Sequence, residues 1–495
     1  MLPASIGAAA EPVHPRRRAL DALVDGSATA YCCPMTSTEF HLRNAVVMTG
    51  NGPSAADVHV RDGRIVDLHN RNGPSTVAAG DVDAAGLWLL PGGVDPHVHF
   101  GMPLRDSLSS RGWRESSAAA LLGGTTTVID FANPSRGEPI ADAVLRWQAA
   151  ADGVCLCDWG LHATVCDIAP ERLAELDGLV HAGVPTFKAF LAYKGRLMLA
   201  AAELRLLMRQ VKDVGGHLLL HAEDGEMNAA AEAVLAATGR TGPEWHPAAH
   251  GPESEIEAIR QAMLLAEETG CPLTIVHLST AAGLDLIRGA RAVGVDLRAE
   301  TCPQYLFRDE SLYARGGDDA LTALMAPPLR SPADAAALLD GLAGGDIAWL
   351  ATDHCAFPLE VKRREAAHGF AAVPNGAAGV GERLLAAFTL GVRRGLLTPE
   401  RWVRVCCEAP AGRLGLAGRK GRVAAGYDAD LVLFDPEATG TRLPIDGHPD
   451  PSLWTGDDWC GRIVDVWRRG EQVVRDGKLV PDVSAGVFLS RHLPD

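Results

Sequence analysis

The chain has 495 residues, 47% apolar and 22% charged, which excludes a wholly disordered chain and leaves room for one large barrel plus a module, or for several small domains. A balance of 62 acidic against 46 basic side chains gives a net charge of −16, and the longest basic cluster is Arg16-Arg17-Arg18. Such a field repels nucleic-acid backbones and anionic lipid surfaces, and no run of 18 apolar residues is present to span a bilayer, so neither partner is expected.

Residues 1–37 lack apolar periodicity, and Asp21 and Asp25 interrupt any signal-peptide core; they read as a disordered leader, with Met35 as an alternative start. From Phe40 the text turns to short alternating segments, His41–Met48, Asp57–Val60 and Arg64–Leu68, the last following the Asp62-Gly63 turn signal. The middle repeats strand then helix. Eight strands are predicted at Leu89–His99, Thr125–Phe131, Cys157–Thr164, Thr186–Tyr193, His217–Glu223, Pro272–Ser279, Asp296–Cys302 and Ile347–His354. Stretches of helical length and spacing lie between them: Ile140–Ala151, Pro170–Ala182, Ala201–Asp213, Glu255–Thr269, Ala281–Ala292 and Pro332–Ala343. Alternating β and α units make parallel strands, and eight of them predict a (β/α)8 TIM barrel. A doubly wound open sheet would carry a Gly-rich phosphate loop after its first strand, and none follows Leu89–His99. Hairpin text returns at Ala429–Phe434, Arg462–Val466 and Glu471–Val474, with Asp476-Gly477 as a turn. The α/β architecture expected is a small β-sandwich domain formed by both chain ends around the barrel: 38–88 and 414–495, the latter including a C-terminal tail, with the barrel at 89–413. Eleven cysteines, irregularly spaced and without a CxxC pair, form no disulfide or zinc framework, and the expected compartment is the reducing cytoplasm.

Barrel chemistry sits at the C-terminal ends of the strands. The first predicted strand ends in His97-Val98-His99, whose imidazoles at i and i+2 share one face, as two ligands of one metal require. The fourth carries Lys188 between Phe187 and Ala189-Phe190, a costly place for a cation unless it is paired or chemically altered. The fifth, sixth and eighth supply His221, His277 and Asp353. Each residue alone has a bland reading, a satisfied polar group or a cap; their joint placement at strand ends points to a metal site.

The sequence resembles the cyclic amidohydrolases, most closely their dihydropyrimidinase and hydantoinase branch. The matching text includes Pro91-Gly92-Gly93-Val94-Asp95-Pro96-His97-Val98-His99, Phe187-Lys188-Ala189-Phe190-Leu191-Ala192-Tyr193-Lys194-Gly195, His221-Ala222-Glu223, Val276-His277-Leu278-Ser279, Glu300-Thr301-Cys302-Pro303, Thr352-Asp353-His354-Cys355 and Pro374-Asn375-Gly376. The resemblance implies two divalent metal ions, usually Zn2+, with His97, His99 and Asp353 on one and His221 and His277 on the other, bridged by carboxylated Lys188 and hydroxide. It implies hydrolytic opening of a cyclic amide, with Asp353 moving the proton, Tyr193 donating to the developing oxyanion and the backbone of Asn375 meeting the imide edge of the ring. It also implies a homotetramer.

Local text separates the branches. Dihydroorotases place Arg two residues after the second His, where this chain has Gly101; allantoinases usually show Asn-Glu-Pro where this chain has Phe100-Gly101-Met102-Pro103-Leu104, and generally lack the Tyr. Leu104, Phe190 and Leu197 are expected to contact a hydrogen or an apolar substituent on the ring carbon. Ala326 replaces the Ser of the family's Ser-Pro-Pro-Leu-Arg motif, and Leu197 stands where an aromatic is common. The alternatives are an allantoinase-type or other cyclic ureide amidohydrolase and, from a different class, a non-enzymatic dihydropyrimidinase-like scaffold. Cys355, two residues after Asp353, is close enough to the site to be a candidate reactive thiol.

Overall fold

A computed structural model describes residues 39–105, 108–442 and 451–494; the expected leader at 1–37 and the alternative start at Met35 lie outside them. The hairpin text at the two ends forms one nine-stranded mixed sheet. On one side Glu39–Thr49, Gly52–Arg61 and Arg64–Asn70 run antiparallel; on the other Leu431–Thr441, Asp458–Arg468, Glu471–Arg475 and Lys478–Leu479 do the same. Both predicted Asp-Gly turns have left-handed backbone at both residues, with φ of 50° and 78° at Asp62-Gly63 and of 47° and 75° at Asp476-Gly477, as two-residue hairpin turns require. Leu42, Val47, Val58 and Val60 of the N-terminal half share one buried cluster with Leu431, Leu433 and Trp467 of the C-terminal half, so each end supplies the apolar face the other needs.

The joint between the halves corrects one expectation. Leu89–His99 is not one barrel strand but two elements that break at Gly92. Trp88–Pro91 pairs with Glu39–Thr49 on one edge and with Leu431–Thr441 on the other, splicing the two ends together, and only Gly93–Val98 enters the barrel. The break needs glycine: a Cβ at Gly92 would lie 2.2 Å from the Thr126 Oγ1. We propose Gly92 as the boundary between sheet and barrel.

The second sheet is the barrel. Its eight parallel strands are Gly93–Val98, Thr125–Ala132, Asp158–Thr164, Thr186–Phe190, His217–His221, Leu273–Ile275, Leu297–Thr301 and Trp349–Leu350, paired in sequence order. A bridge between Val98 and His354, with the His99 N–H donating to the His354 carbonyl at 2.8 Å, joins the eighth strand's continuation to the first. Ile140–Ala151, Ala201–Asp213 and Ala281–Ala292 are helices as predicted, whereas Pro170–Ala182 is interrupted at Ala174. There Glu175 starts a new helix, and its carboxylate accepts from the Ala141 N–H in the first turn of a neighbouring helix. The tail also departs from a simple sheet extension: Phe488 bridges to Trp159 of the third barrel strand, and buried Arg491 donates to the Thr186 Oγ1 at 2.7 Å and to the Leu414 carbonyl at 3.1 Å.

Sheet and barrel are pinned by a buried charge cluster. The Lys420 Nζ lies 2.6 Å from Asp158 of the third barrel strand, 2.7 Å from Asp430 and 3.2 Å from Asp428, while Thr126 of the second strand donates to Asp430 at 2.9 Å. Burial works to raise the Asp158 carboxyl, but Lys420 and then Arg469 outweigh it and hold it at about 2. Its folded pKa is therefore below the unfolded value of about 4, so the stabilisation is complete above that pH and fades as pH falls toward 2. Lys420→Met should cost about 3–5 kcal/mol at pH 7, because it strands buried carboxylates without their cation. Urea unfolding should show the deficit at pH 7 and a narrowing gap to wild type between pH 4 and pH 2.

Candidate metal centre at the barrel mouth

All six predicted metal-site residues converge. His97 lies in the first barrel strand and His99 just beyond it; Lys188 is central in the fourth strand, and His221 ends the fifth. His277 and Asp353 lie two and three residues beyond the sixth and eighth strands, which are shorter than the sequence pattern predicts. The trimming has a local cause. Tyr193, His277 and Asp353 adopt left-handed backbone, with φ of 62°, 40° and 52°, which ends the extended run and turns the chain at the mouth. For a bulky Tyr this is a strained conformation, of the kind that concentrates at functional sites.

The Asp353 Oδ1 lies 3.1 Å from the Nε2 of both His97 and His99. Burial favours its neutral acid, but His97 outweighs it, and the carboxyl sits well below its usual range. His97, His277 and Asp353 each place a ligand atom within 4.8 Å of the others. This trio joins His97 and His277, which the resemblance assigns to different ions. Lys188 lies deep in the site, its Nζ 5.1 Å from the Phe131 ring centre and 4.9 Å from that of Phe190. Burial lowers the Lys188 amine to about 7. The Lys188 Nζ, His277 Nδ1 and His99 Nδ1 are buried without a hydrogen-bond partner among the described residues. Leaving such atoms unsatisfied costs about 1–3 kcal/mol each. Imidazole nitrogens and a carboxylate oxygen around that space suit divalent cations, so the residues present fit a metal centre.

Two carboxylates outside the six candidate residues hold the imidazoles in place. The Glu300 Oε1 meets the His97 Nδ1 at 2.7 Å, leaving Nε2 to face the centre, while its Oε2 accepts from the Trp349 Nε1 at 2.6 Å. Glu223 meets the His221 Nε2 at 2.7 Å and the His250 Nδ1 at 2.9 Å. Burial disfavours a charged His250, but Glu223 outweighs it and raises the imidazole to about 9. The usable sequence signal was a carboxylate on the same strand face as a ligand, two residues on, at His221-Ala222-Glu223.

The pocket above the centre is lined by Phe190, Tyr193, Leu197, Ala326 and Asn375, all predicted, and by Met102, Asn133 and Arg196, which were not. Leu104 is not among the lining residues; it sits half-buried in a small hairpin strand, Pro103–Arg105, and Met102 provides that wall instead. The Asn375 Oδ1 is buried and unpartnered among the described residues. Cys355 also lines the pocket, where burial and then Asp353 push its thiol well above the usual range, which favours the neutral form.

A parallel eight-stranded barrel with imidazoles, a lysine and an aspartate gathered at its mouth defines a barrel hydrolase of the metal-dependent kind. The chain belongs to the amidohydrolase family, whose model matches residues 88–480. Among curated proteins it is similar to the D-hydantoinase of Streptomyces coelicolor, 34% identical over 91% of this chain and 97% of that protein, and to the D-hydantoinase of Ralstonia pickettii, 32% identical over 91% and 98%. Among solved structures it resembles the dihydropyrimidinase from Brevibacillus agri, with a TM-score of 0.89 and 31% identity over 92% of this chain and all of that one. The L-hydantoinase from Arthrobacter aurescens is also similar, with a TM-score of 0.82 and 28% identity over 92% of this chain.

Proposed function

We propose that this enzyme hydrolyses the ring amide of hydantoins and dihydropyrimidines, giving N-carbamoyl amino acids. The observation that carries the reading is the convergence of His97, His99, His221, His277, Asp353 and unpartnered Lys188 at one barrel mouth, beneath a pocket bearing Tyr193. Two divalent ions, zinc as the family resemblance implies, would be held by these six residues, with Lys188 as a carbamate; the donor set itself also suits Mn2+, Co2+ and Fe2+. The Lys188 amine would gain a bond to the carbon of CO2 and lose one proton, turning an unpartnered buried base into an anion that offsets the charge of the ions. Bound metal supplies a nucleophile from water near neutral pH and polarises the ring carbonyl.

The side chains do the rest. The Asp353 carboxylate, ionised at working pH, takes a proton from the attacking water and returns it to the leaving ring nitrogen. Burial, then Glu223, keep the Tyr193 phenol above its usual range, so it stays a proton-bearing donor to the oxyanion. The backbone of Asn375 meets the imide edge, and its unpartnered side-chain Oδ1 adds a further acceptor for a ring N–H. Ala326, Phe190, Leu197 and Met102 enclose the ring. We also place the enzyme in the cytoplasm as a homotetramer. The compartment reading is supported by the free state of the described cysteines, and the assembly by exposed Leu206 and Leu264 on adjacent helices.

A panel of dihydrouracil, hydantoin, 5-substituted hydantoins, allantoin and dihydroorotate, with metal analysis alongside, tests the reading. Turnover of the first three with zinc bound is expected. Dominant turnover of allantoin or dihydroorotate would overturn the branch, and no turnover by metal-loaded protein would favour the scaffold.

A further inference from the structure

The pocket wall carries a cation that ring opening does not use. Arg196 is exposed at the mouth, on the turn closed by its N–H donating to the Tyr193 carbonyl at 3.0 Å, and its guanidinium carbon lies 5.3 Å from the Tyr193 ring centre. It lines the pocket beside Leu197 and Phe190, where the ring substituent would lie. Its basic neighbours are engaged elsewhere: Lys194 pairs with Glu226 at 2.6 Å, and Arg136 donates to the Met198 carbonyl at 3.1 Å. Arg196 has no carboxylate partner among the described residues, although acidic side chains outnumber basic ones 62 to 46 over the whole chain. The one acid lining the pocket, Asp353, is held by His97 and His99.

We propose that Arg196 directs this site toward hydantoins whose 5-substituent ends in a carboxylate. A guanidinium fork matches a carboxylate with two parallel hydrogen bonds, and its contact with the Tyr193 ring holds it in place before substrate arrives. The stem of such a substituent would lie against Leu197 and Phe190 while its anionic end reaches Arg196. The wall expected from sequence to be purely apolar is then apolar next to the ring and cationic at the rim. This inference rests on the ring-opening reading.

The test compares 5-(carboxymethyl)hydantoin with its neutral near-isostere 5-(carbamoylmethyl)hydantoin on zinc-loaded enzyme, reading the ratio of kcat/KM values within each variant so that general losses cancel. Wild type should favour the acid by about tenfold, the scale of one charge-assisted contact. That preference should shrink as added salt screens the exposed pair. Arg196→Gln should bring the ratio close to one, and Arg196→Lys should keep part of it. If wild type opens both rings equally well, or Arg196→Gln keeps the wild-type ratio, the assignment of Arg196 is overturned while ring opening stands. If wild type opens neither ring nor any ring of the wider panel, the ring-opening reading fails and takes this inference with it.

Discussion

Lys188→Ala is expected to lose bound zinc and to lower kcat/KM by more than about 100-fold, the most usually lost when only an outer partner of a metal ligand is removed. The Lys188 amine is enclosed by the Phe131 and Phe190 rings with no hydrogen-bond partner among the described residues. In the proposed two-ion centre the cations would need an anion between them, and a carbamate on this lysine would provide it. A purely structural role predicts something different. If Lys188 served only as a cation over two aromatic rings, Lys188→Ala would bind as much zinc as wild type, and that result would overturn the bridging role. Metal-free protein gives a second readout. Burial lowers the amine to about 7, below its unfolded value of about 10.4. Protonation on unfolding thus penalises the folded metal-free chain as pH falls from about 10 to 7, and the penalty is constant below. Metal-free Lys188→Ala should therefore gain relative to metal-free wild type at pH 7 and gain less at pH 10, while the zinc-loaded order is reversed. A short carboxylic acid added to Lys188→Ala with zinc should restore part of the activity by filling the vacated space.

What was legible in the sequence follows what periodicity records. His97 and His99 could be read as neighbours because a strand repeats every two residues, and the eight strand-helix alternations placed Lys188, His221, His277 and Asp353 on one barrel without knowledge of a single pairing. Where the chain leaves that period, legibility ends. The sequence pattern extends the eighth strand to His354, but it stops at Leu350, and the left-handed turn at Asp353 belongs to one residue and leaves no repeat to detect. Trp88–Pro91 is not separable by pattern from the barrel strand, since both are apolar and extended; the break shows only in which strands each segment pairs with. Glu300 was invisible as the partner of His97, 203 positions away, because it depends on which barrel strands face each other. Leu104 failed as a pocket residue for a related reason: the hairpin that carries it directs Met102 to the pocket, and which residue reaches inward from an irregular loop is not written in its composition.

Asp353→Asn is expected to lower kcat by about 10²–10⁴-fold, the usual contribution of a positioned acid-base group, with a smaller change in KM. The substitution is chosen for its backbone. Asp353 sits at a φ of 52°, which Asn adopts more readily than most residues, whereas Ala would add conformational strain to the loss of the carboxylate. Asn also keeps an oxygen available where Asp353 Oδ1 meets the Nε2 atoms of His97 and His99 at 3.1 Å, so the imidazoles retain a hydrogen-bonding neighbour. What Asn cannot do is accept a proton at working pH and give it back. In the metal-free chain burial favours the neutral acid of Asp353, but His97 outweighs it and holds the carboxyl well below its usual range; Asp353 is also the one carboxylate among the described residues lining the pocket, and so the group proposed to carry the proton from water to the ring nitrogen. Zinc content separates this role from that of a ligand alone. If Asp353→Asn keeps its zinc and its unfolding midpoint but loses turnover, the proton path is the part removed; if zinc and turnover fall together in proportion, Asp353 acts as a ligand and the shuttle must be sought elsewhere. Wild-type turnover in the zinc-loaded variant would exclude Asp353 from the chemistry altogether.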